Sequence, residues 1–277
     1  MAIIAISRGT FAGGTKLAEL VANKLGYRSM AREVLVDAAK VYGTPQEKLN
    51  EALEKSPGIL EGLTHERARY LVFIQAALYA EAKGDNIVYH GHAGHILLKD
   101  IPNILKIRVI ADMEFRLRAV VEQHQTSREE AEKFIKKADE RRTRWAKFLY
   151  GIDWKDPLLY DMVVNLHHME LDDACEMVCH ATTLESYKTT PALSKNISNL
   201  ALNNHVLAMT AADTSIAYDT LTIESDDGVV NIGGKVRFQE DLKKIENIVR
   251  QIPDIKKLNM NVVLWPVPFR SYARLNE

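Results

Sequence analysis

Cysteine is scarce in this sequence: 277 residues hold two, Cys175 and Cys179. That excludes a disulfide framework of the secreted kind. The two stand four apart in a helical pattern, so they share one helix face and read as small buried apolar groups. A basic excess is also missing, since 36 Lys+Arg against 37 Asp+Glu leave a net charge of −1. Domains that coat nucleic acid usually carry such an excess, so nucleic acid is not an expected partner. No run reaches the ~18 uncharged apolar residues of a membrane span. The start, Met1-Ala2-Ile3-Ile4-Ala5-Ile6, has no basic leader, so the expected compartment is the cytoplasm. Internal repeats and low-complexity tracts are absent. What remains is ordinary for a soluble globular protein: 47 % apolar and 26 % charged residues. The length fits one large domain or two unequal ones, at roughly 150 residues per domain.

Residues Ala2–Ile6 form a continuous apolar run that ends in glycines, the pattern of a buried parallel strand. Thr15–Leu25 follows with Leu17, Leu20, Val21 and Leu25 on a helical stripe, and Gly26 stands where a C-cap belongs. Helices are expected over Met30–Tyr42, after the capping box Thr44-Pro45-Gln46-Glu47, over Thr64–Lys83 and over Met113–Gln125. Another runs from the capping box at Ser127 to about Tyr150, and one closes the region over Asp172–Glu185. Asn86–Tyr89, Ile104–Ile110 and Leu158–Leu166 read as further strands. Strands alternating with helices imply an α/β fold with a parallel sheet covered on both faces.

The pattern then changes. Residues 187–196 are polar, contain Pro191 and read as a linker. A helix is expected at 197–211, then two strands joined through Asp227-Gly228, a helix over Phe238–Ile252 and a strand in which Leu258, Met260, Val262 and Leu264 alternate. The expected division is therefore 1–186, a linker at 187–196, a small αββαβ unit at 197–268 and a tail at 269–277.

The residues that point to chemistry lie between the first strand and the first helix: Gly9, Thr10, Phe11, Ala12, Gly13, Gly14, Thr15 and Lys16. Glycines there let amides turn inward around a phosphate, and the helix start adds unpaired donors and its positive dipole end. Gly9-x4-Gly14 has P-loop spacing, but that pattern continues with Lys and Ser/Thr, whereas this chain has Thr15 and Lys16. Lys16 is turned about 100° around the helix from Thr15, so it does not simply replace the missing amine, and Arg8 is the alternative cation. His90, His92 and His95 raise the idea of a metal site, but no cysteine or carboxylate stands at ligand spacing. The expectation is no metal there, with polar tips lining a cleft instead.

The segment IIAISRGTFAGGTKLAELVANKLGY with AREVLVDAA, followed in order by IVYHGHAGHILL, ILKIRVIADMEFRLRAV and LLYDMVVNL, resembles the cytidylate kinase-like family over about residues 1–185. The resemblance implies a P-loop kinase fold, ATP with Mg²⁺ at the glycine loop and a nucleoside monophosphate beside it. It places Gly9 to Thr15 on donor phosphates, Arg32 at the acceptor, Arg141, Arg142 and Arg144 in a mobile lid that closes over both, and Asp161 near the site; Arg8 and Lys16 beside the loop and His92 on the substrate side complete the candidate residues. Guanidinium forks suit such a lid, because they pair two phosphate oxygens at once. Residues 200–266 resemble a BON domain through Leu221–Glu224, Asp227–Val236 and the alternating strand. That implies an unidentified ligand or protein partner. A homo-oligomer stays open. Two functional expectations stand side by side: a phosphotransferase acting on nucleotides, and an inactive nucleotide or small-anion sensor reporting through the BON-like unit.

Overall fold

The computed structural model describes residues 2–54, 64–91 and 93–265. His92, the last three residues of the expected αββαβ unit and the 269–277 tail lie outside them. The chain opens with β1 (Ile3–Arg8), α1 (Gly14–Leu25), β2 (Arg28–Met30), α2 (Glu33–Tyr42), α3 (Gln46–Glu54) and α4 (His65–Ala82). Then come β3 (Ile87–Tyr89), α5 (Gly94–Leu97), β4 (Leu105–Ile110), α6 (Met113–His124), α7 (Arg128–Tyr150), β5 (Met162–Asn165) and α8 (Leu171–Ala181). Five parallel strands form one sheet in the order β2-β3-β1-β4-β5. Ile3, Ile4, Ala5 and Ile6 at its centre are fully buried, as a strand covered on both faces must be. The C-terminal end of such a sheet is where α/β folds take ligands.

α1 follows the sequence. Leu17, Ala18, Val21 and Ala22 face inward, and Gly26 closes the helix at φ 67°, a conformation open to residues without Cβ. β2 was hidden from the hydrophobic pattern because it is three residues long and half exposed. α2 therefore starts at Glu33 rather than Met30. The expected strand at 158–166 is shortened to Met162–Asn165, because Pro157–Leu159 forms a turn of 3₁₀ helix capped by the Asp156 side chain.

The linker reading needs correction. α9 (Pro191–Ala212) begins inside it, with Thr190 accepting a hydrogen bond from the Leu193 amide and Pro191 at the first helical position, where its missing N–H costs nothing. β6 (Leu221–Asp226), β7 (Val229–Val236), α10 (Gln239–Arg250) and β8 (Lys257–Leu264) follow among the described residues. β6 pairs antiparallel with β7 through Asp227-Gly228, both at positive φ as a two-residue hairpin turn requires, and β8 adds parallel to β7. α9 serves two cores. Ile197, Ala201, Ala208 and Ala211 join the cluster beneath α2 and α4, while Leu202 and Val206 pack over the small sheet. The C-terminal unit is thus fastened to the large one by a shared helix.

Candidate phosphate-binding cleft

β1 ends at Arg8 beneath the glycine loop. Gly13 caps α1 at φ 85°, and a Cβ on it would lie 2.6 Å from Leu166 Cδ1. A Cβ on Gly14 would lie 2.7 Å from the Cβ of Arg8. These two glycines let the loop pass between Leu166 and the Arg8 stem. Within the loop, the Ala12 amide donates to Gly9 O (3.1 Å) and the Gly9 amide to Val109 O (3.2 Å). The amides of Phe11, Gly13, Gly14, Thr15 and Lys16 find no acceptor among the described residues. Four of these donors, on Gly13, Gly14, Thr15 and Lys16, stand at the start of α1, a setting in which backbone amides can bind an anion.

One loop amide is taken. Thr10 donates its N–H (3.2 Å) and its hydroxyl (2.8 Å) to the Asp139 carboxylate on α7. Arg116, on the first turn of α6, donates to the same carboxylate (2.5 Å) and through Nε to Thr10 O (2.7 Å). Burial works against ionising Asp139, but the hydrogen bonds from Arg116 and Thr10 outweigh it and hold its carboxyl below the usual range. The contact fixes the shoulder of the loop and leaves its α1 end open.

A cleft of about 720 Å³ opens beside the loop. Thr10, Phe11 and Thr15 form one side, and Arg32, Leu35, Asn50 and Leu53 form the other. α7 contributes Ala138, Arg141, Arg142, Trp145 and Ala146, the i, i+3, i+4, i+7, i+8 face of a helix. Arg144 is exposed on another face of that helix and does not line the cleft. Arg142 donates to Arg8 O (2.8 Å), and Arg8 donates to His90 O. The Arg8 guanidinium is pushed down to about 10, first by burial and then by the like charges of Arg142 and Arg32.

Lys16 is exposed and does not line the cleft, as its position on the helix implied. Asp161 lies at the opposite end of β5 from the loop, and its carboxylate accepts the Lys106 amide at 2.7 Å. His90 and His95 line the cleft floor. His95 Nε2 stands 3.1 Å from the Tyr160 hydroxyl, which donates to Trp154 O at 2.7 Å. Arg116, Asp139, Trp154 and Tyr160 were not singled out from the sequence. Arg116 had one signal: it follows the Asp112 helix cap at the C-terminal end of β4, the sheet end that carries the loop.

The two histidines make a pH prediction. Burial first, then nearby cations, push His90 down to about 4 and His95 down to about 3. The unfolded chain protonates them near 6.5, so below that pH the unfolded state binds more protons than the fold. Stability is therefore expected to fall as pH drops from about 6.5 towards those values, by roughly 1.4 kcal/mol per pH unit for each histidine. Urea unfolding across this range should show a shallower pH dependence for His95→Gln than for the parent chain. Equal slopes would refute the assignment.

Comparison with known proteins places the chain in a family. The family model described as cytidylate kinase-like family matches residues 3–168. A cytidylate kinase of Saccharolobus islandicus is 24 % identical over 199 residues, covering 71 % of this chain and 99 % of that protein. One of Pyrobaculum arsenaticum is 25 % identical, covering 63 % of this chain and 89 % of its own length. The crystal structure of an uncharacterized protein from Eubacterium ventriosum superposes with a TM-score of 0.53 at 19 % identity, over 66 % of this chain and 99 % of that one. That likeness shows a shared fold.

Proposed function

The chain belongs to the cytidylate kinase-like family, and on that premise we propose that it is a nucleotide kinase moving the γ-phosphoryl group of ATP to a nucleoside monophosphate. The observation that carries this reading is the open cradle of loop amides facing a cleft with four arginines. In the reaction an oxygen of the acceptor phosphate forms a bond to the γ-phosphorus. The bond from that phosphorus to the β,γ-bridging oxygen breaks, and the electron pair leaves on ADP. Such a transfer needs positioning and charge stabilisation rather than a protein nucleophile.

The residues divide the work. Amides of Gly13, Gly14, Thr15 and Lys16 hold donor phosphates. Arg8 stands behind the loop, in place of the amine that Thr15 lacks. Arg32 takes the acceptor phosphate, and Arg141 and Arg142 reach the transferred group from α7. Leu35, Leu53 and Trp145 give the acceptor's uncharged end an apolar wall, with the Asn50 amide as its polar group. Mg²⁺ fits this wall poorly, since hard cations want carboxylate or carbonyl oxygens and no Asp or Glu among the described residues lines the cleft. No step above is assigned to a protein-held ion. The αββαβ order of α9 to β8 supports a BON-like reading of the C-terminal unit, with a ligand still to be found.

A coupled ADP-release assay with ATP and each common nucleoside monophosphate tests the proposal. Turnover that needs one of these acceptors is the expected result. Nucleotide binding without product would favour the sensor reading instead, for which Thr15 and the exposed Lys16 speak. Neither binding nor turnover would defeat both.

A further inference from the structure

Among the described residues that line the cleft, charge is one-sided. Arg8, Arg32, Arg141 and Arg142 line it, and His90 and His95 stay neutral well below physiological pH. The acids near the loop are engaged elsewhere. Asp139 is held by Thr10 and Arg116. Asp112 accepts the Phe115 amide at 2.8 Å and pairs with His167 at 2.9 Å. Among the described residues, no group of three His, Cys, Asp or Glu is placed to hold a metal ion. Arg8 is crowded by the like charges of Arg142 and Arg32 in a partly desolvated site.

We propose that this arginine cluster, and not a divalent cation ligated by the protein, neutralises the phosphates of the bound nucleotides, so that nucleotides bind without Mg²⁺. The inference rests on reading the cleft as a nucleotide site. Any Mg²⁺ then arrives on the donor, held by phosphate and water oxygens alone. Guanidinium groups suit the role because each has five donors and grips phosphate with two at once. Arg141 is the simplest member to test, as it makes no hydrogen bond or ion pair with another described residue.

The test is calorimetry of the full chain with ADP and with inorganic tripolyphosphate, in excess Mg²⁺ and in excess EDTA. Free Mn²⁺ is titrated separately and followed by electron paramagnetic resonance. The expected results are ADP affinities within about threefold of each other in the two buffers, and no Mn²⁺ site on the free protein. Arg141→Gln should weaken ADP by about tenfold in both buffers. Arg142→Gln should do the same, and the first variant keeps the test valid if the second loosens the loop. Loss of ADP affinity of more than about tenfold on adding EDTA would overturn the inference, as would Mn²⁺ bound tightly by the free protein. Tripolyphosphate separates the two readings. If it binds in EDTA while ADP binds in neither buffer, the arginine inference stands and the nucleotide reading fails. If neither binds in EDTA, the arginine inference falls.

Discussion

Arg8→Gln is expected to cut phosphoryl transfer by at least about a hundredfold while leaving the protein folded. The position that carries lysine in a P-loop of this spacing is Thr15, and the neighbouring Lys16 is exposed to solvent. A cation must still meet the charge that spreads over the transferred group, because a preorganised donor in a water-poor site is worth far more than one in bulk water. Arg8 is placed for it. It ends β1, its stem passes beside Gly14, and its guanidinium lines the cleft. The side chain also serves structure through its bond to His90 O. Losing that bond should cost little, since the same substitution relieves repulsion from Arg142 and Arg32. The expected pattern is a large fall in kcat, a smaller rise in KM for the donor, and an unfolding temperature within a few degrees of the parent. A variant that keeps turnover within about fivefold would remove Arg8 from the reaction.

Trp145→Ala is expected to be the most destabilising single change in the cleft wall, by about 3–5 kcal/mol. Trp145 is 1 % exposed and donates through Nε1 to Ala52 O at 3.1 Å, which ties α7 to α3. Its ring stands 5.5 Å from that of Tyr150 and belongs to the core cluster shared with α2 and α4. Alanine would leave a cavity that rigid helices cannot close, while Ala52 O would keep its hydrogen bonds from the Arg67 guanidinium at 3.0 and 3.2 Å. Urea unfolding followed by circular dichroism measures the loss. Trp145→Phe, which keeps most of the volume, should recover about half of it. A cost below about 1 kcal/mol for alanine would show that α3 and α7 do not depend on this contact.

The loop and its flanking strand and helix were legible because local rules coincide there: a fully apolar run, glycines and an amphipathic stripe. The capping box at Ser127 marked a helix start for the same reason, as it acts within four residues; the Thr44-Pro45 pattern also marked a start, although the Thr44 hydroxyl donates to Tyr42 O at 3.4 Å. Contacts across the chain left no such trace. Asp139 carries no local signature in the sequence, and only the fold brings it to Thr10, 129 residues away. Arg141, Arg142 and Arg144 are near neighbours in sequence, yet helical rotation turns the first two into the cleft and the third to solvent. Asp161 was placed near the site by the family resemblance alone. Parallel strands put that end far from the loop. Pro191 misled in the opposite direction: among polar residues it resembles a linker, but after a capping threonine it opens a helix.

The central claim is that the loop amides hold phosphate. Amide ¹H–¹⁵N spectra of the full chain, recorded while ADP is added, test it most directly. The account predicts large shifts at Gly13, Gly14, Thr15 and Lys16, and a smaller one at Thr10, whose N–H stays on Asp139. Saturable ADP binding that leaves those four resonances in place would contradict it.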